Sequence, residues 1–104
     1  MSNLATQIEE TRAINLPLMD ILCHAWFREG YKEAAKGLPF HFFCTTKSDE
    51  MDKWFYERGR LVAGEARSAY GRVPQLWFET DAGSIINPQV ISLAGAMFMT
   101  GAFA

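Results

Sequence analysis

Apolar residues recur along most of this chain at steps of three and four, the period of a helix with one buried face. Between Leu4 and Ile14 they alternate with Gln7, Glu9, Glu10 and Arg12, which predicts a first helix. Asn15-Leu16-Pro17 interrupts it. Proline suits the first turn of a helix, so a second helix should begin near Pro17. Leu18, Leu22, Ala25, Phe27, Tyr31 and Ala34 carry its apolar stripe, and Gly37 stands where a helix commonly ends.

Residues 38–47 read as a loop or short extended piece holding Pro39-Phe40 and the pair Phe42-Phe43. Ser48, followed by Asp49, Glu50 and Asp52, marks a new helix start, with acids near the positive end of its dipole. This third helix should reach about Tyr70 on a stripe of Met51, Phe55, Val62, Ala66 and Ala69. Gly59 and Gly64 inside it each cost about 1 kcal/mol relative to alanine. Close approach to another helix, the one bearing Gly30, would compensate.

Gly71 ends that helix, and Leu76-Trp77-Phe78 lies in a segment from Val73 to Thr80 that is short strand or extended wall. Asp81-Ala82-Gly83 is a turn. The remainder, residues 84–104, is dominated by an apolar helix capped by Asn87-Pro88 and running to about Thr100, with Gly101 as its stop. The fold class is mainly α: one small bundle of about four helices with a short extended segment near residues 75–80.

Composition narrows the class. A chain of 104 residues with 49% hydrophobic content is sized for a single domain with one modest core. Its net charge of −2 gives no general attraction to nucleic acid or anionic membrane. Most cations lie between Arg28 and Arg72, a stretch that nets +2, but acids are interleaved with them as on solvated helix faces. No charge follows Asp81, yet Gly83, Ser84, Asn87, Pro88, Gln89 and Ser92 break that run and argue against a membrane span. Two cysteines, Cys23 and Cys44, are too few for a disulfide framework, and both are expected among apolar neighbours. The first ten residues lack an export pattern, so a cytoplasmic location is expected.

The central region carries glycines and aromatics at a recognisable spacing. Trp26-Phe27-Arg28-Glu29-Gly30-Tyr31 is followed by Ala34-Ala35-Lys36-Gly37, then, after a loop, by Trp54, Gly59-Arg60 and Ala63. This order resembles the bacterial ribosome modulation factor family, to which many small phage and prophage proteins are similar. The resemblance covers Trp26 to Ala63 and implies a helical pair over residues 17–70, with Gly30, Gly37, Trp54 and Gly59 as structural positions. The family binds small-subunit ribosomal RNA. Its members are shorter and strongly basic, and its Cys-Pro-Tyr-like loop is matched only in part, by Pro39-Phe40 and Cys44.

Cys23, His24, His41 and Cys44 are the one set with metal-ligand chemistry. His41-x-x-Cys44 has workable spacing for half a zinc site, but adjacent Cys23 and His24 diverge by about 100° on a helix. Ordinary thiols and histidines are therefore expected, with no metal and no cofactor. No nucleophile motif surrounds either cysteine, the acids sit among cations, and Gly59-x4-Gly64 lacks the Lys-Ser or Lys-Thr of a P-loop. Enzyme activity is not expected.

Trp26, Arg28, Tyr31, Lys32, Trp54, Arg58 and Arg60 are the candidate partner-binding residues, joined by Lys36 in a basic, aromatic face across the paired helices. The alternative is that the tryptophans anchor the core and the cations make a soluble exterior. On the last helix, Met97, Phe98 and Met99 belong to an almost wholly apolar surface, either buried within the monomer or left free as a homodimer seam or partner surface. The preferred functional expectation is a non-enzymatic protein-binding module of phage or mobile-element type that docks on a host protein complex and inhibits or redirects it. The rival is a ribosome modulation factor-like regulator that touches ribosomal RNA through Arg28, Lys32, Arg58 and Arg60.

Overall fold

The apolar run after Pro17 folds as two helices, not one. The structure is a computed structural model and describes residues 18–42 and 47–99, the side chains of residues 47–49 excepted. Helix α1 spans Leu18–Cys23 and α2 spans Ala25–Ala35, parted at His24. His24 takes ψ 137°, outside the helical range, and its ring nitrogen Nδ1 accepts the Trp26 N–H at 3.1 Å. It is thus the N-cap of α2. Neither glycine nor proline marks this break, so apolar spacing alone ran straight through it. The expected helix over Leu4–Ile14 and the stop at Gly101 lie outside the described residues.

The far end of α2 closes as expected. Gly37 takes φ +75°, its N–H donates to Ala34 O, and Leu38 N–H donates to Glu33 O. This is the Schellman pattern, in which a left-handed residue satisfies the last carbonyls. Arg67 reaches across from α3, which spans Lys47–Tyr70, and donates to the carbonyls of Ala34 and Ala35 at 3.1 Å each. A cation at the negative end of α2 suits its dipole.

Helices α2 and α3 form the principal pair, and their backbones touch. A Cβ on Gly30 would stand 2.1 Å from Tyr56 O, and one on Gly59 would stand 2.0 Å from Phe27 O. Two mid-helix glycines, one per helix, therefore remove the side chains that would hold the helices apart. Gly64 has no such neighbour and is exposed, so the compensation expected for it is absent. Of the predicted stripe on α3, Phe55, Val62 and Ala66 are buried and Met51 is half-buried, whereas Ala69 is exposed.

The extended segment proves to be half of a hairpin. Strand β1 (Trp77–Thr80) pairs antiparallel with β2 (Gly83–Ile86), and Thr80 stands opposite Gly83 across the expected turn. The last apolar helix, α4, is correspondingly shorter than the region 84–104 and spans Pro88–Met99. Its cap is Asn87, as read: Oδ1 accepts from Gln89 N–H, while the backbone carbonyl accepts from Val90 and Ile91. Asn87 also donates through Nδ2 to Gln75 O and through its backbone N–H to Leu76 O, both at 2.8 Å. One buried asparagine thus fastens helix, hairpin and the 73–76 segment together.

The core draws on every element but β1, whose half-buried Trp77 packs against it: Ile21 and Leu22 from α1, Phe27 and Tyr31 from α2, Trp54, Phe55, Val62 and Ala63 from α3, Ile86 from β2, and Val90, Ala94 and Met97 from α4. The fold is mainly helical with one small two-stranded sheet. No helix among the described residues is long and apolar enough to cross a membrane.

Candidate functional site

The most chemically distinctive place in the molecule surrounds Glu33, a charged side chain that α2 carries into the interior at 5% exposure. An ionised carboxylate persists in such a place only when paired and hydrogen-bonded. Three groups do this. The Tyr56 hydroxyl donates to Oε1, His41 Nδ1 lies 2.9 Å from the same oxygen, and Arg60 lies 3.9 Å from it. Nδ1 also faces Pro39 O at 3.4 Å, and two acceptors around one ring nitrogen assign it the proton. Burial pushes the carboxyl pKa up, but side-chain hydrogen bonds with Tyr56 and Glu29 and then the His41 and Arg60 charges outweigh it and hold the pKa below the usual value. The Tyr56 phenol moves the other way, raised by burial and then by its bond to Glu33.

These bonds fix the loop that follows α2. Leu38 is held by its own N–H on Glu33 O and by Arg60, which donates to Leu38 O at 2.7 Å. His41 N–H faces the Tyr56 hydroxyl at 3.4 Å. So anchored, residues 38–42 lay their aromatic rings around the buried Tyr56 ring. Phe40 at 5.2 Å and Trp26 at 6.3 Å meet it edge-on, and Phe42 lies tilted by 33° at 5.4 Å; Trp26 and Phe42 are themselves edge-to-face at 4.6 Å. The outer side of this cluster faces solvent. Trp26 is 37%, Leu38 44% and Phe40 47% exposed. Lys53 stands 5.8 Å from the Phe40 ring, and His41 is exposed beside it. An aromatic centre with a charged rim is the usual anatomy of a protein-binding patch.

The candidate residues read from sequence do not assemble on one face. Trp26 and Arg60 belong to the cluster just described. Tyr31 is buried, its hydroxyl donating to Pro74 O at 2.5 Å, and cannot stack on a ligand. Trp54 is buried too, packed against Phe55 and Phe98 with the Arg58 guanidinium 4.7 Å from its ring. Of the two readings, core anchor holds for Trp54 and exposed aromatic for Trp26. Arg28 and Lys32 line a separate groove of about 660 Å³ between α2 and residues 73–77, where Arg28 lies 3.6 Å over the Trp77 ring. Compared with protein-family models, curated proteins and solved structures, the chain matches none.

On α4 the three interface candidates separate: Met97 is buried, Phe98 is half-buried near Trp54, and Met99 is 90% exposed. The side of α4 left in solvent carries Gln89, Ser92 and Ala96 with Met99, and so is mostly small and polar; of the two alternatives for this helix, burial within the monomer describes Met97 and a free surface describes Met99. Cys23 is exposed, contrary to the apolar setting anticipated for it, and Cys44 lies outside the described residues. Among the described residues no three His, Cys, Asp or Glu side chains are placed to hold a metal ion.

The sequence reading missed Glu33, Tyr56, Phe40 and Phe42 as site residues. Glu33 looked like one acid of a solvated face. Its role depends on a loop folding back from position 38, which helical period does not encode. The aromatic density of residues 40–43 was the available signal.

Proposed function

We propose that this chain is a non-enzymatic protein-binding module whose docking surface is the aromatic patch of Trp26, Leu38, Phe40 and Phe42. The observation that carries this reading is the exposure of Leu38 and Phe40, on a loop fixed in place by the buried Glu33, beside exposed Trp26 of α2 and half-buried Phe42. Preformed aromatic anchors lose little side-chain freedom on binding, which makes them effective contacts. The resemblance to ribosome modulation factor and to small phage proteins favours a larger bacterial complex as the partner, which docking would inhibit or redirect. The ribosomal RNA reading draws less support, because two of its three aromatics are buried and Arg60 is engaged with Leu38 and Glu33.

Affinity capture from bacterial lysate tests this, using the wild-type chain beside Trp26→Ala and Phe40→Ala variants, with and without nuclease. A specific protein partner should survive nuclease treatment and be depleted at least about tenfold by either substitution, as for a hot-spot residue. Equal recovery by wild type and variants would refute the patch as the docking surface. Recovery that disappears with nuclease would point to the ribosome instead.

A further inference from the structure

The geometry points to a second binding site, independent of the aromatic patch: the groove between α2 and residues 73–77 takes an extended acidic segment of a partner protein. One wall carries Arg28 and Lys32 of α2 and Lys36, the residue that caps it, a row with four-residue spacing; the other carries Val73, Leu76 and Trp77. Ala25 and Ala35 keep the helical wall low, and the volume of about 660 Å³ falls in the range of real ligand sites. Three cations face a single acid, Glu29, among the lining side chains. Lys32 and Lys36 are exposed and ion-paired to no acid among the described residues, so their charge is available.

Spacing selects the occupant. Four residues of α-helix advance about 6 Å. Alternate residues of an extended chain lie about 6.6 Å apart on one side. A strand-like peptide with a carboxylate at every second position therefore meets successive cations of the row. Its intervening side chains turn the other way, toward Leu76 and the Trp77 indole. The Arg28 guanidinium lies 3.6 Å over that indole, so the first cation of the row and the apolar wall already touch.

A fluorescently labelled Glu-Val-Glu-Val-Glu peptide, titrated into the full chain and followed by anisotropy, tests the site. Saturable binding that weakens with salt is expected, as is none by the Gln-Val-Gln-Val-Gln analogue. The K32E/K36E double variant should bind about tenfold more weakly and should now prefer Lys-Val-Lys-Val-Lys. Trp26→Ala should leave peptide affinity unchanged, which separates this site from the aromatic patch. Absence of saturable binding, or equal affinity of wild type and double variant, would overturn the proposal. So would tighter binding of a peptide with acids at every fourth position, or of a single-stranded RNA oligonucleotide.

Discussion

Gly30 and Gly59 show how much a missing side chain can decide. Each faces a carbonyl of the opposite helix at a distance no Cβ tolerates. Gly59→Ala must therefore push α2 away from α3, against a core in which Phe27 and Val62 are fully buried. A loss of about 2 kcal/mol or more is expected, because overpacking at backbone outweighs the roughly 1 kcal/mol alanine gains in helix propensity. Gly64→Ala, with open space around it, should instead raise stability by up to about 1 kcal/mol. Urea unfolding midpoints of the two variants check both signs; a Gly59→Ala protein as stable as wild type would remove the close-approach explanation. The sequence pointed correctly to Gly59 meeting the helix of Gly30. It failed at Gly64 because five residues turn a helix by about 500°, which leaves the two glycines about 140° apart. Only one of them can face α2.

The junction of α1 and α2 rests on a single titratable ring. His24 caps α2 through Nδ1, stacks on Phe55 at 3.8 Å with planes 5° apart, and presents Nε2 to Asp52 at 3.9 Å. Burial lowers its pKa below 6.5, and the Asp52 charge only partly restores it. The unfolded chain therefore binds the proton more readily than the folded one. Stability from His24 is complete above about pH 6.5 and is lost as pH falls through the lower folded value. Protonation also costs the cap, because a protonated Nδ1 can no longer accept the Trp26 N–H. His24→Asn keeps a capping acceptor without the titration, so its stability should stay flatter between pH 7 and 5 than that of wild type. Glu33, whose folded pKa is also lowered, should give both proteins a further loss only below about pH 4.5, in the same sense. Denaturant midpoints measured across pH 7 to 3 resolve the two windows, and identical profiles for wild type and His24→Asn would discard the histidine cap as their cause. Element ends marked by proline or glycine were readable: Asn87-Pro88 starts α4, and Gly37 and Gly71 follow the ends of α2 and α3. The His24 break was not, because its cause is a side chain bonding to its own backbone two residues on. The strand Gly83–Ile86 was hidden as well, since Ile85 and Ile86 merge into the apolar run of the helix behind them.

At the scale of the molecule, the groove exists because residues 73–77 are held against α2, and Tyr31 ties them to that helix by a hydrogen bond while Asn87 holds Gln75 and Leu76 from the other side. A helical period predicts that Tyr31 is buried; it cannot predict that the hydroxyl meets Pro74 O, 43 positions away. Burial pushes the phenol pKa up to about 12, with Arg72 drawing it down and Tyr70 adding to the rise. The folded state thus resists ionisation of a group that ionises near pH 10 in the unfolded chain. Its contribution is fully present below pH 10 and is lost as pH rises toward 12. Tyr31→Phe leaves the ring packing but strands the Pro74 carbonyl, which should cost about 1–3 kcal/mol near neutral pH. That gap should close as pH climbs, because the wild-type phenol becomes a liability and phenylalanine has nothing to ionise. Unfolding curves at pH 8, 10 and 11.5 for the two proteins provide the measurement. No difference at pH 8 would mean the hydroxyl does not tie the segment down, and the wall of the proposed acidic-peptide groove would rest on other contacts such as Arg28 over Trp77.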